Sequence, residues 1–354
     1  MKKTNKPEQG GAVLPGPVMT IKDLAAKTGY GVATVSRVLN EQPNVSEKAR
    51  RIILEAAREC HFEINTNAQQ LKQHHSNTIA VVVKGTYNQL FGELVENIQS
   101  LVSQTEYSLY VDYMDEDGNE VLEALRLCRE KKPLGMLILG GNKRNFKKDF
   151  HNITIPCVLV SNDARELGFE NLSSVATDDR EAACHAMEAL IELGHRNIVI
   201  IGGNRDRSDT SRLRYEGCLQ AMKKHDIPFN EKLDYQGTRY SWQAGYDAAA
   251  RLIVSGRKFT ALFAAADVMA IGAIRALRDS GLRVPEDVSV MGFDGLALGA
   301  FLVPQLSTVA QSAKRMALRS VEILIRSIEN KTEACHEAAP YTICLKESTS
   351  RPNR

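Results

Sequence analysis

The sequence predicts an α/β fold that follows a small, all-helical N-terminal segment. Residues 20–62 show three short helical patterns, and residues 65–77 are polar with few charges. From Thr78 onward, short apolar runs alternate with amphipathic stretches. This alternation predicts doubly wound parallel sheets with right-handed crossovers. About 275 residues of such a pattern are more than one core accommodates, so we expect two subdomains.

The first 62 residues contain a leader and then three helices. Residues 1–18 carry three lysines, glycines and prolines without the apolar middle of a secretory signal, so a disordered leader is expected. Thr20 can cap the first helix, with Asp23 as a near capping box. After Gly29-Tyr30-Gly31, a second helix runs from Val32 to about Leu39, and Ser46 caps a third. Two helices joined by a glycine-containing turn, with a third in support, indicate a helix-turn-helix.

The remainder of the chain divides into strand and helix patterns. Continuous apolar runs predict buried parallel strands at Ile79–Val83, Leu109–Tyr113, Gly135–Leu139, Cys157–Val160, Ile198–Ile201, Ala261–Ala265 and Val288–Met291. Amphipathic helices are expected between them at 90–103, 118–131, 179–193, 211–225, 242–255 and 267–280. Ligands of such sheets bind outside the carboxyl ends of the strands.

Composition narrows the class of protein. No apolar run approaches the roughly 18 residues of a membrane span. The seven cysteines are odd in number and never spaced as Cys-x-x-Cys, so neither a disulfide framework nor structural zinc is expected. A cytoplasmic protein fits best. Residues 1–78 hold eleven Lys/Arg against seven Asp/Glu, and a basic end on a slightly acidic body suggests that this end binds a polyanion.

Catalytic motifs do not appear. Gly140-Gly141-Asn142 and Gly202-Gly203-Asn204 match neither Gly-x-Gly-x-x-Gly nor a phosphate loop, and ordinary βα turns explain them. The eight histidines lack metal-ligand spacing, and no serine sits in a Gly-x-Ser-x-Gly elbow. We therefore expect no catalytic residue, no cofactor and no metal.

The segment MTIKDLAAKTGYGVATVSRVLNEQPNVS at 19–46 resembles the headpiece of the lactose-repressor/galactose-repressor (LacI/GalR) family of bacterial transcription regulators. The resemblance continues to Leu345-Lys346-Glu347-Ser348-Thr349 near the C-terminus. It implies a helix-turn-helix headpiece, a hinge helix, and a two-lobed effector-binding and dimerisation domain like periplasmic sugar-binding proteins. The implied boundaries are 19–64, 65–77 and 78–354, with an N-lobe of about 78–174 and 310–340 and a C-lobe of about 175–309 and 341–354.

The resemblance also implies which residues contact DNA. Arg37 offers a bidentate fork for guanine, whereas Val32 and Ala33 match positions that vary with operator sequence and suit thymine methyls. Leu71 matches a hinge leucine that wedges into the minor groove. The positions that match phosphate contacts are Thr20, Thr34, Ser36, Asn40, Asn44 and Ser46. Two departures are Gly31, where the family usually caps the recognition helix with serine, and Ile64, where it has proline.

A small-molecule site is implied in the same way. Arg214 and Asp294 match a ligand-binding arginine and carboxylate, which suit a polyol because each can hold paired hydroxyls. Tyr240 matches an aromatic platform. The full set of expected effector-binding residues is Leu90, Phe91, Ser161, Thr210, Arg214, Tyr240 and Asp294. Ser161 stands where an aspartate is common, and Ala266 where sugar-binding members often have asparagine.

The sequence thus predicts a ligand-responsive repressor of a carbohydrate-related operon that binds a pseudo-palindromic operator as a homodimer. Two alternatives share the α/β body. An exported solute-binding protein is disfavoured by the missing signal peptide and by the 20–62 headpiece, and an enzyme by the lack of an acid/base constellation. The effector, whether it acts as inducer or corepressor, and a dimer against a tetramer are left open.

Overall fold

The computed structural model describes residues 20–39, 45–60, 62, 77–85 and 88–353. The expected leader at 1–18 and the hinge prediction as far as residue 76 lie outside these ranges. The chain divides into two compact units, Met1–His74 and His75–Arg354. Each unit is described by itself below.

The first unit contains the three predicted helices, α1 (Ile21–Thr28), α2 (Val32–Leu39) and α3 (Glu47–Glu59). The capping box is confirmed: Thr20 Oγ1 accepts from Asp23 N at 3.4 Å, and Asp23 Oδ2 accepts from Thr20 N at 2.8 Å. The apolar faces of the helices meet in a small core that includes the fully buried Leu24, Val35 and Ile53. The polar faces are thereby left on the surface.

The second unit is built from two six-stranded sheets. Its strands are β1 (Thr78–Lys84), β2 (Ser108–Met114), β3 (Gly135–Leu139), β4 (Cys157–Val160), β5 (Leu172–Ala176), β6 (Ile198–Gly202), β7 (Tyr235–Gly237), β8 (Ala261–Ala264), β9 (Ser289–Asp294), β10 (Ser307–Gln311), β11 (His336–Ala338) and β12 (Tyr341–Cys344). One sheet has the order β11-β5-β4-β3-β1-β2 and the other β12-β10-β9-β8-β6-β7. Every described pairing is parallel except that of β12 with β10. We call the part around the first sheet the N-lobe and the part around the second the C-lobe.

Helices connect the strands and cover the sheets. They are α4 (Gln89–Val102), α5 (Glu120–Glu130), α6 (Lys143–Asp149), α7 (Asp179–Glu192), α8 (Asp209–Lys224), α9 (Glu231–Asp234), α10 (Trp242–Val254), α11 (Asp267–Asp279) and α12 (Ala313–Asn330). None of the helices within the described ranges is long and apolar enough to span a bilayer.

The chain passes between the lobes three times. It leaves β5 for α7 through residues 177–178, leaves β10 for α12 at Ser312, and leaves β11 for β12 through residues 339–340. Helix α12 packs on α4 and on β3, β4 and β5, so it returns to the N-lobe although it follows a C-lobe strand. These three short crossings hold the two lobes side by side.

All seven predicted strands are present, and the predicted helices fall within two residues of their observed ends. The strand expected at Val288–Met291 is Ser289–Asp294, which places Asp294 at a strand end. The sequence analysis missed β5, β7, β10, β11 and β12 and the helices α6, α9 and α12. Strand β5 shows why apolar runs do not reveal every buried strand. It buries Ser173 and Ser174, whose hydroxyl oxygens accept hydrogen bonds from Cys335 N and Ala164 N.

Helix α8 approaches α7 so closely that only glycine fits at one position. A Cβ on Gly217 would lie 2.1 Å from the carbonyl oxygen of Arg180. We expect Gly217→Ala to lower the free energy of unfolding by about 1–3 kcal/mol, because the two helices must move apart. Urea unfolding followed by circular dichroism measures the change.

The matched control is Gly92→Ala on the exposed face of α4, where a Cβ meets nothing within 4 Å. It should be neutral or stabilising by up to about 1 kcal/mol, because alanine is the better helix former. Equal stabilities for the two variants would contradict the assigned packing of α7 against α8.

Candidate functional site

Helix α2 presents a short apolar and cationic face on the surface of the first unit. Val35 and Val38 are buried in the core, whereas Val32, Ala33 and Arg37 are exposed. Val32 leaves 43% of its surface open to solvent. An exposed β-branched side chain and an exposed arginine on the same helix suit contact with base edges, since the methyl groups and the N–H fork match thymine and guanine.

The residues expected to contact phosphate fall into three groups. Thr20 and Ser46 are exposed and cap α1 and α3, where the Ser46 hydroxyl accepts from Ala49 N at 3.3 Å. Thr34 and Ser36 are half-buried on α2. The predictions for Asn40, Asn44 and Leu71 fall outside the described residues.

A cleft in the second unit contains every residue that the sequence analysis assigned to effector binding. It encloses about 770 Å³, part of which is open to solvent. Its lining combines the ends of N-lobe strands β1, β3 and β4 with C-lobe residues from α8 and β9. The seven predicted residues in the lining are Leu90, Phe91, Ser161, Thr210, Arg214, Tyr240 and Asp294.

Arg214 is the buried cation of the cleft. Its Nε donates to Asp179 Oδ1 at 2.7 Å, and its Nη1 donates to the carbonyl oxygen of Ala265 at 2.5 Å. Nη1 also lies 3.4 Å from Asp294 Oδ1, and the guanidinium stacks 3.6 Å from the centre of the Phe293 ring. Burial disfavours the charge, but the two carboxylates outweigh it and raise the pKa of Arg214. The pair with Asp294 is therefore no surface ion pair.

Asp294 stands at the end of β9 in an unusual backbone conformation. Its φ is 125°, a region that costs a non-glycine residue energy and that persists where the surroundings impose it. Gln311 Nε2 donates to its Oδ1 at 2.9 Å, so the carboxylate also contacts the end of β10. Burial raises the pKa of Asp294 to about 7, although Arg214 and Gln311 favour the charged form. Small changes around the carboxylate can therefore change its charge near neutrality.

Asp267, the first residue of α11, shapes the loop that follows Asp294. Its Oδ2 accepts from Gly295 N at 2.9 Å and from Leu296 N at 2.7 Å, and Thr308 Oγ1 donates to its Oδ1 at 2.6 Å. These three bonds occupy the carboxylate. Asp267 thus supports the site from behind and does not line the cleft.

Two glycine turns make room for the aromatic walls. A Cβ on Gly140, whose φ is 77°, would lie 3.0 Å from the Phe91 ring, and a Cβ on Gly203 would lie 2.5 Å from the Tyr240 ring. The Tyr240 hydroxyl is fixed by a 2.7 Å hydrogen bond with Ser211 Oγ. The turns after β3 and β6 are ordinary connections, as expected, and in addition they seat the two rings.

The sequence analysis missed most of the polar lining. These residues are Lys84, Asn88, Glu116, Asp117, Asn162, Asn204, Arg207 and Ser208. Most of them follow the carboxyl end of a strand by a few residues, which is the position where ligand groups of parallel sheets are found. That rule could have selected Asn162 and Asn204, but nothing distinguishes them from ordinary turn residues.

Charged side chains from the two lobes pair across the mouth of the cleft. Arg239 of the C-lobe contacts Asp115 at 2.7 Å and Glu116 at 3.0 Å, and Arg207 contacts Asp117 at 2.9 Å. The acidic residues follow β2 in the N-lobe. These exposed pairs join the lobes at the rim, and each is worth little individually.

Comparisons with known proteins agree with this geometry. Residues 20–65 match the family described as "Bacterial regulatory proteins, lacI family", and residues 187–349 match a periplasmic binding protein-like domain. Among solved structures, the lac repressor dimer bound to operator and the anti-inducer ONPF superposes with a TM-score of 0.76 at 24% identity, over 94% of this chain and 100% of that one. A LacI-family regulator from Enterococcus faecium with bound ribose superposes with a TM-score of 0.67 at 24% identity, over 77% and 99%. These likenesses show the fold.

Relatives with similar sequences indicate the function of the chain. The transcriptional regulator MalR of Clostridium butyricum is 34% identical over 90% of this chain and 95% of its own length. The transcriptional repressor PurR of Haemophilus influenzae (strain PittEE) is 31% identical over 90% and 94%. Both are regulators rather than enzymes. The chain belongs to the LacI family and is a DNA-binding transcription regulator.

Proposed function

We propose that this regulator represses a carbohydrate-related operon in the cytoplasm and responds to a neutral sugar or a similar polyol. The observation that carries the proposal is the buried pair of Arg214 and Asp294 in a cleft with aromatic side chains. Charged forks of this kind hold paired hydroxyls, while an aromatic face covers the CH groups of a sugar ring. Whether the sugar releases or promotes DNA binding is decided by the experiment below.

The charge of the lining favours a neutral ligand. Its three cations, Lys84, Arg207 and Arg214, are each paired with carboxylates already. Lys84 Nζ lies 2.5 Å from Glu120, Arg207 is paired with Asp117, and Arg214 with Asp179 and Asp294. Three carboxylates, Glu116, Asp117 and Asp294, also line the cleft. A phosphate or uronate would have to displace one of these partners.

The DNA-binding function is assigned to the exposed face of α2. Arg37 is proposed to read a guanine, with Val32 and Ala33 against neighbouring bases. Contacts to phosphate are proposed for Thr20, Thr34, Ser36, Asn40, Asn44 and Ser46, and insertion into the minor groove for Leu71.

A homodimer is proposed because each headpiece would read one half of a pseudo-palindromic operator. Exposed apolar side chains of the C-lobe support it. Phe301 and Val303 leave 83% and 78% of their surface open, and Leu298 lies close by in sequence. Burying them against a second copy would remove this apolar surface from water.

Arg37→Ala should weaken specific operator binding by about 1–3 kcal/mol and remove discrimination at one base pair. The reason is the loss of a two-pronged hydrogen bond to a single base. Fluorescence anisotropy with a set of single-substitution operators measures both effects. Weakening by the same factor for every operator would show that Arg37 contacts phosphate instead.

A sugar panel tests the effector class. For several hexoses, the neutral sugar, its uronate and its 6-phosphate are compared by thermal unfolding, because a ligand stabilises by RT ln(1 + [L]/Kd). We expect a neutral member to raise the melting temperature and to change operator affinity. In Asp294→Asn, the operator affinities measured with and without that sugar should be equal. In Asp279→Asn, a control on the surface of α11, the sugar should still change operator affinity. Preference for a uronate or a phosphate would refute the neutral class.

Affinity for the sugar should depend on pH through Asp294, whose pKa is about 7. The carboxylate accepts hydroxyl protons better than the protonated acid does, so affinity should fall as the pH decreases through about 7. The fall can reach about tenfold per pH unit if only the carboxylate binds. Calorimetric titration measures it, and Asp294→Asn should bind weakly without this dependence. A wild-type affinity that is constant between about pH 6 and about pH 8 would mean that no ligand group donates to Asp294.

A further inference from the structure

Asn162 has a hydrogen-bonding pattern that no contact among the described residues completes. The residue follows Ser161 after β4, lines the cleft, and is 4% exposed. We propose that Asn162 is an effector-binding residue that accepts a hydrogen bond from a ligand hydroxyl or N–H group while it links the N-lobe to Thr210 of the C-lobe. The proposal rests on the proposed function and adds one specificity residue to its site.

The orientation of the Asn162 amide follows from its neighbour. Asn162 Nδ2 lies 3.1 Å from Thr210 Oγ1. Thr210 is also a neighbour of Asp179, and its hydroxyl favours the charged form of that carboxylate and so acts to lower its pKa. In this arrangement Thr210 Oγ1 accepts from Asn162, so the amide nitrogen faces Thr210 and the amide oxygen faces away from it.

The amide oxygen is the unsatisfied atom. Asn162 Oδ1 is buried and has no hydrogen-bond partner in the part of the chain that the structure describes. A buried acceptor without a donor costs stability, and such atoms are rare in native proteins. A ligand in the cleft can remove this cost by donating a proton, which a sugar hydroxyl or an N–H can do and a carboxylate or phosphate oxygen cannot.

The same residue connects the lobes to the buried cation. Asn162 donates to Thr210, Thr210 neighbours Asp179, and Asp179 accepts from Arg214 Nε at 2.7 Å. A ligand that donates to Asn162 would polarise its amide and strengthen the hydrogen bond that joins it to Thr210 of the C-lobe. Ligand binding at the N-lobe wall would thus affect Arg214 without direct contact between the ligand and this side chain.

The experiment compares Asn162→Leu with Asn152→Leu, a control on the surface of the same lobe, where Asn152 is exposed. Leucine has the branched shape of asparagine but is larger, and it removes the unsatisfied oxygen together with the donor to Thr210. Without sugar, Asn162→Leu should unfold near the wild-type temperature, because loss of the buried unsatisfied oxygen offsets loss of the hydrogen bond to Thr210. A melting temperature clearly below that of Asn152→Leu would show that the amide serves folding, and would overturn the proposal.

Binding supplies the second arm, with D-glucose, D-galactose, D-mannose, D-ribose and cellobiose as probes. Fluorescence of Trp242, the single tryptophan, or calorimetry reports affinity. Asn162→Leu should bind the sugar that stabilises the wild type at least tenfold more weakly, and Asn152→Leu should bind it normally. Wild-type affinity in Asn162→Leu would overturn the proposal.

Deoxy analogues of the same sugar separate recognition from general damage to the cleft. One deoxy analogue should bind the wild type more weakly than the parent sugar does, because it lacks the hydroxyl from which Asn162 accepts. That analogue and the parent sugar should bind Asn162→Leu with equal affinity. If every analogue loses affinity equally in both proteins, Asn162 makes no specific contact. If no probe stabilises the wild type, the sugar response of the proposed function fails, and the melting temperatures alone still decide whether Asn162 serves folding.

Discussion

Burial of the Arg214 guanidinium is the constraint on which the cleft depends. A guanidinium cannot lose its charge, so its removal from water must be compensated by carboxylates and carbonyl oxygens. Asp179 at the start of α7, the Ala265 carbonyl after β8, and Asp294 at the end of β9 supply them. Three separate segments of the C-lobe are therefore held around one side chain. The strained backbone at Asp294 is understandable in this setting, because the conformation that costs energy locally aims a carboxylate at the buried cation.

The walls of the cleft depend on close packing of side chains against the strand ends. Phe91 and Tyr240 can approach the ends of β3 and β6 because Gly140 and Gly203 carry no side chain there. Asp267 uses its two oxygens to hold the loop beyond Asp294, so that the strand end cannot relax away from Arg214. The charged members of the lining are neutralised within the protein, and what remains available to a ligand is mainly neutral hydrogen-bonding capacity. This property underlies the proposal of a neutral sugar as the effector.

The sequence was sufficient to predict the structural elements that depend on local residue patterns. Thr20 and Asp23 predict the first capping box, and apolar runs predict the central strands, because both signals lie within a few residues. Residues such as Arg214 and Asp294 are found through resemblance to a family, and the structure brings them together from positions 80 residues apart. Neither local pattern nor family resemblance identifies Asn162 and the acidic residues 115–117. Their significance lies in partners from the other lobe, and one asparagine after a strand looks like any turn residue. Edge strands such as β11 and β12 are three and four residues long, too short for a periodicity to register.

The three crossings between the lobes have a mechanical consequence. A joint made of three short chain segments limits separation of the lobes, and rotation of one lobe against the other is the motion that such a joint would restrict least. Strand β1 ends at the cleft with Lys84 and begins six residues earlier at Thr78, so its two ends lie about 20 Å apart. At that radius, a rotation of about five degrees displaces the start of β1 by roughly 2 Å. In such a rotation the strand would act as a lever arm, and a small change in the cleft would become a larger displacement where the chain enters the lobe from residue 77.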